Sequence, residues 1–166
     1  MPDDFEVRAT ERIESLGDDI DTASFAASFD LFRLGTRVMG DFDSSVHRPL
    51  GLSLAGFRVL FTLWVHGSLG VREIAHLAGV SRAAVSGVVT TLEREQLAIR
   101  QRDQADGRLA TVRLTQTGEE RLRAAYRAQN ERERQLFADL EPDELAAFTA
   151  TLRKLLTVRL DDPTDR

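Results

Sequence analysis

The chain has no cysteine among its 166 residues, which excludes disulfides, zinc–thiolate centres and thiol-based redox sensing. Lysine is nearly absent as well: Lys154 stands alone and every other basic residue is arginine, a bias of the kind GC-rich bacterial coding produces. No apolar run reaches the ~20 residues that span a bilayer. The first residues, Met1-Pro2-Asp3-Asp4, are acidic, unlike a secretory or transit peptide. A cytoplasmic protein with no membrane partner is expected. There is no Gly-rich phosphate loop. The three histidines, His47, His66 and His76, lie on separate segments without a nucleophile or carboxylate pattern, so neither enzyme chemistry nor a cofactor is expected. Glu73 and His76 are spaced to share a metal on one helix, but a lone pair of this kind is far more often simply solvated, and no metal site is assigned.

What the chain does have is a length that suits one domain with a real core, and an uneven charge. The formal net charge is −5, yet residues 1–30 alone hold nine acids against two arginines. Residues 71–113 carry a small basic surplus, with seven arginines and five acids. Local charge is what meets a phosphate, so the overall acidity does not exclude a nucleic-acid partner.

The basic stretch has an ordered pattern. Ile74, Ala75, Ala78, Val80, Val85 and Val88 are placed to lock two helices around a reversal at Gly79. Ser81 is a natural N-cap for the second helix. In that helix Val85, Val88, Val89 and Leu92 make one buried stripe at i, i+3, i+4 and i+7. The other face holds Arg82, Ala83, Ser86, Gly87, Thr90 and Arg94, small or polar residues between two arginines, suited to close approach to a major groove. Leu97–Arg100 and Leu109–Leu114 read as two strands of a hairpin. Asp106-Gly107-Arg108 forms its tip, with Asp106 and Gly107 supplying the turn. An arginine at such a tip can enter a minor groove.

From about Leu50 to Thr115 the chain resembles the winged helix-turn-helix of the MarR family of bacterial transcription regulators. The resemblance rests on Leu52-Ser53 opening a helix, the helix-turn-helix from Ile74 to Leu92, and Asp106-x-Arg108 followed by Leu114-Thr115. It departs from the family at Gln96, where Gly is frequent, and at Gly56, where Gln or Glu often completes a capping box. It implies a triangular homodimer with interlocking N- and C-terminal helices. The lack of cysteine removes the family's cysteine-oxidising peroxide sensors. The resemblance also implies a small phenolic or aromatic acid that binds between dimer part and reader and releases DNA. Phe25, Phe29, Arg33, Trp64 and His66 are candidates for lining such a cavity, although core packing is the plainer reading of each.

Outside the reader the pattern is helical. Residues from about Asp21 to Val46 carry Phe25, Phe29, Phe32, Val38, Met39 and Phe42, and the helix is expected to stop at His47-Arg48-Pro49. So aromatic a helix needs a large partner surface, which a dimer supplies. Leu54 to His66 is the next helix, and Gly67 to Gly70 reads as a turn. Thr117-Gly118-Glu119-Glu120 reads as a capping box opening a helix to about Ala138. Pro142 opens the last helix, whose stripe of Leu145, Phe148, Leu152, Leu155 and Leu156 is assigned to the dimer.

The fold expected is mainly α with a small β wing: residues 1–49 for dimerisation, 50–116 for the winged helix-turn-helix, 117–160 for connector and dimerisation helices, and 161–166 as a tail. The function expected is sequence-specific binding of double-stranded DNA, as a homodimeric repressor on a pseudo-palindromic operator. Its DNA-facing residues are Ser81, Arg82, Ala83, Ser86, Gly87, Thr90, Arg94, Arg100, Asp106 and Arg108, with Arg94 and Arg100 on phosphate. The alternative is a winged helix that docks another protein without touching DNA.

Overall fold

The computed structural model describes residues 4–17, 19–102 and 110–158. Helix α1 (Asp4–Glu14) lies against α2 (Thr22–Phe42). Asp21 caps α2: its carboxylate accepts the Ser24 N–H at 3.0 Å and the Ser24 hydroxyl at 2.6 Å. Those bonds hold the Asp21 carboxyl below its ordinary range. The two helices meet through aromatic rings, with Phe29 stacked 5.9 Å from Phe5 and 5.5 Å from Phe25. The Arg33 guanidinium sits over the Phe29 ring. Even so, α2 has no fully buried residue, and Leu31, Phe32 and Met39 face outward.

The end of α2 differs from expectation. The helix stops at Phe42, and a π-helical turn (Asp43–His47) and a 3-10 turn (Arg48–Leu50) carry the chain onward. Pro49 does not expel its predecessor, since Arg48 keeps helical angles (φ −59°, ψ −43°). Pro49 lies in the first residues of the 3-10 turn, where its missing N–H costs nothing. The path ends instead at Gly51, with φ 73°. Asp43 ties this corner together by accepting Arg48 Nε at 2.7 Å and the Leu54 N–H at 3.0 Å. Arg48 is the main reason its carboxyl lies below the ordinary range. His47 is fully buried and stacks on Phe57 at 4.3 Å.

Next come α3 (Leu54–His66), β1 (Leu69–Gly70), α4 (Val71–Ala78), α5 (Arg82–Arg94), β2 (Ala98–Arg102) and β3 (Ala110–Leu114). The strands form an antiparallel sheet in the order β1-β3-β2. β1 is a finding that the reading of Gly67–Gly70 as a turn did not contain: Leu69 pairs with Val112 and Gly70 with Thr111. The core of this lobe is aliphatic, with Val59, Leu60, Leu63, Ile74, Val85, Val89, Leu92, Leu97 and Val112 all buried. Each such side chain contributes roughly 1.5–3 kcal/mol by leaving water.

Helix α6 (Gln116–Leu136) adds Leu122 and Ala125 to that core. Its cap also corrects the sequence reading. The helix begins one residue before Thr117, and the capping hydroxyl belongs to Thr115, which accepts the Gly118 N–H at 2.9 Å. Gly118 lies so close to the Leu97 carbonyl that any Cβ there would overlap its oxygen. From Tyr126 onward the described residues form a second compact unit, the end of α6 and helix α7 (Pro142–Leu156). Phe137 and Phe148 meet in it at 6.2 Å. Pro142 opens α7 as expected, and the Glu144 carboxylate accepts the Glu141 N–H at 2.9 Å. No single helix among the described residues is long and apolar enough to cross a membrane.

Candidate nucleic-acid interface

Two helices and a tight reversal build the candidate surface. In α4 the Glu73 carboxylate accepts the Gly70 N–H at 2.8 Å and closes the first turn, which gives that acid a structural task. The helix ends at Gly79, whose φ of 61° and ψ of 41° suit glycine. A Cβ there would fall 2.8 Å from the tip of Arg58, a flexible side chain that can move aside, so it is the conformation that favours the missing side chain. The Val80 N–H returns to the Ala75 carbonyl at 3.1 Å, which fixes the angle at which α5 starts. Ser81 then caps α5 as expected, its Oγ accepting the Ala84 N–H at 3.2 Å.

Helix α5 turns Val85, Val89 and Leu92 into the core and leaves Arg82, Ala83, Ser86, Gly87, Thr90 and Arg94 exposed with Ser81. The structure therefore brings seven of the ten sequence-predicted residues onto one helix and its cap. The hydroxyls on this face lie low. Ser86 Oγ donates to the Arg82 carbonyl at 3.2 Å and Thr90 Oγ1 to the Ser86 carbonyl at 2.9 Å. Their lone pairs remain outward, while the hydrogens must swing away before they can donate to a base. Among the described residues Arg82 has no acidic partner. Arg94 lies 3.8 Å from Glu95, and Arg100, on β2, is held more firmly by Glu93 at 3.1 Å. Glu93 also accepts the Arg100 N–H, so this pair joins α5 to β2 before any ligand arrives.

The C-terminal end of α5 depends on Gln96, which among the described residues is the non-glycine residue with a positive φ (59°). Gln96 itself takes the left-handed cap position that the family resemblance leaves to Gly. The Leu97 N–H reaches back to the Leu92 carbonyl at 2.8 Å, closing the cap. Thr115 holds this end from outside: its Oγ1 donates to the Gln96 carbonyl at 2.6 Å, and its N–H donates to the Leu97 carbonyl at 3.1 Å. Sequence reasoning found Thr115 as half of a motif and missed its task, because the contact spans nineteen residues. The hairpin beyond runs in register from Ala98↔Leu114 to Arg102↔Ala110. Asp106 and Arg108, expected at its tip, lie outside the described residues.

The residues suggested for an effector cavity fall in two aromatic groups. Phe25, Phe29 and Arg33 join Phe5 on the α1–α2 pair, while Trp64 lies 6.1 Å from Phe61 and 5.9 Å from the Arg123 guanidinium. His66 is exposed at the end of α3. A cleft of about 400 Å³ opens elsewhere, between the start of α3 and α5, lined by Ser53, Gly56, Gly87, Thr91 and Glu95 among others.

Similarity to known proteins follows the same outline. The sequence model described as MarR family matches residues 52–109. An HTH-type transcriptional regulator of Bacillus subtilis, YwaE, is 33% identical over 143 residues, covering 86% of this chain and 81% of its own. Among solved structures, BpsR of Bordetella bronchiseptica, whose DNA binding is regulated by 6-hydroxynicotinic acid, superposes with a TM-score of 0.69 at 26% identity. That match covers 78% of this chain and 97% of BpsR. A probable transcriptional regulator from Pseudomonas aeruginosa gives 0.68 at 27% identity, over 84% of this chain and 98% of its own.

Proposed function

Because the chain belongs to the MarR family of transcription regulators, we propose that it is a homodimeric repressor that reads a pseudo-palindromic operator through α5. The observation that carries this reading is the exposed face of α5, with Arg82 free of any acidic partner among the described residues and beside low-lying Ser86 and Thr90. A guanidinium so placed can bond a guanine edge in two places, and the hydroxyls can reach bases or phosphates. Arg94 and Arg100 take the phosphate role, and each must share its guanidinium with the glutamate it already neighbours. Arg108, which with Asp106 lies outside the described residues, is proposed for the adjacent minor groove.

Residues 1–49 and 117–160 supply the dimer. Support comes from the outward apolar residues of α2 (Leu31, Phe32 and Met39) and of α7 (Leu155 and Leu156). A two-fold dimer reads half-sites one helical turn apart, about 10 bp. The likeness to BpsR supports a small aromatic acid as effector. It acts only by binding one spacing of the reading helices better than another.

Selection from random DNA followed by footprinting tests the reading. The expected result is two inverted half-sites with centres about 10 bp apart. Arg82→Ala should weaken operator binding about 5- to 100-fold, on the scale of one specific contact. Equal affinity for wild type and variant would remove Arg82 from base readout.

A further inference from the structure

Gly87 lies in the middle of α5, where glycine is less favourable than alanine because it gives up more backbone freedom. Within a fold, such a glycine is usually kept by conformation or by a neighbour. Gly79 has the first reason and Gly118 the second. Gly87 has neither. It does not have a positive φ, and a Cβ built on it meets no atom of the described residues within 4 Å beyond its chain neighbours and its own helix backbone, even though it lines the cleft beside α3. Side chains along the helix leave it uncovered too. Ser86 and Thr90 fold their hydroxyls onto α5's own carbonyls, and Ala83, one turn earlier, offers only a methyl group. The same openness occurs at Gly35 and Gly40 on α2, a helix whose Leu31, Phe32 and Met39 are also exposed.

We propose that Gly87 is a specificity-determining residue: the point where a base-pair edge of the operator comes against the α5 backbone, the 5-methyl group of a thymine filling the space a side chain would take. This inference rests on α5 being the DNA-reading helix. A thymine methyl is the apolar group on a major-groove edge, and it needs close contact instead of a hydrogen-bond partner. A methyl group at residue 87 competes with it for the same volume. Fold stability, by contrast, gains from that substitution, because α5 loses its glycine and no described residue is displaced.

The opposite signs make the test. Operator recovered by selection, and a non-specific duplex of the same length, are titrated with wild type, Gly87→Ala and Gly87→Leu by fluorescence anisotropy. Melting and sedimentation are followed in parallel. Operator affinity should fall about ten-fold for alanine and further for leucine, with non-specific affinity and assembly unchanged. The alanine variant should melt about 2 °C higher. Replacing operator thymines by uracil, one at a time, should weaken wild type at one position in each half-site and leave Gly87→Ala unaffected there. Unchanged operator affinity in Gly87→Ala would overturn the proposal, as would an equal loss on both duplexes or a changed dimer. A wild type that binds no selected DNA would instead remove the DNA-reading role of α5 itself.

Discussion

Gln96 carries the clearest local strain among the described residues. An L-residue with a side chain in the left-handed region costs about 1–2 kcal/mol, and Gln96 has a φ of 59°. Gln96→Gly removes that cost and loses part of the gain to glycine's freedom in the unfolded chain. A net stabilisation of about 0.5–1 kcal/mol is expected. Urea unfolding measures it, and a destabilised variant would mean that the glutamine side chain does more than tolerate its position. Asp43 makes a pH-dependent contribution. Its bond to Arg48 lowers the folded-state pKa below the unfolded value of about 3.9. Stability from this group is therefore complete above the unfolded value and is lost as pH falls through the folded one. Asp43→Asn should lower stability at neutral pH and flatten the acid limb below about pH 4. An acid limb equally steep in both proteins would contradict the assignment.

Thr115 acts between elements. Its side chain caps α6 through Gly118 and holds the end of α5 through the Gln96 carbonyl, while its N–H bonds Leu97. Thr115→Val keeps the shape and removes the hydroxyl, leaving a helix N–H and a cap carbonyl without their partner. A loss of about 1–3 kcal/mol is expected, with Thr115→Ser restoring most of it. If valine were neutral in thermal unfolding, the clamp would carry no weight. The helix-turn-helix was legible in the sequence because its signals are local: Ser81 bonds a residue three positions on, and Val85, Val89 and Leu92 repeat with the helix. Three features were not legible, for one shared reason. β1 exists only because Thr111 and Val112 return beside it, the α6 cap is fixed by Thr115 where Thr117 also fits the pattern, and the turn after Phe42 is stabilised by Asp43 reaching Leu54. Each depends on a partner or a competing register that spacing alone does not reveal. On α5, the sequence identified which residues face outward but not that Glu93 already holds Arg100.

Across the whole molecule, charge and function point to a protein whose DNA affinity comes from fit more than from net attraction. The chain is acidic overall, most of its excess of acids over bases lies in residues 1–30, and the reader has only a small basic surplus. Non-specific binding should therefore be weak, and a modest number of phosphate contacts should give a shallow salt dependence. In the proposed reading, discrimination then comes from α5 and from the pairing of two reading heads. The most direct measurement is a gel shift of the purified protein on its own upstream intergenic DNA, in moderate salt with excess unrelated competitor. A discrete complex at nanomolar protein, resistant to competitor and carrying two protomers per duplex, is the predicted result. A folded dimer that shifts neither this DNA nor any duplex selected from random sequence would contradict the account and leave the exposed face of α5 as a surface for another protein.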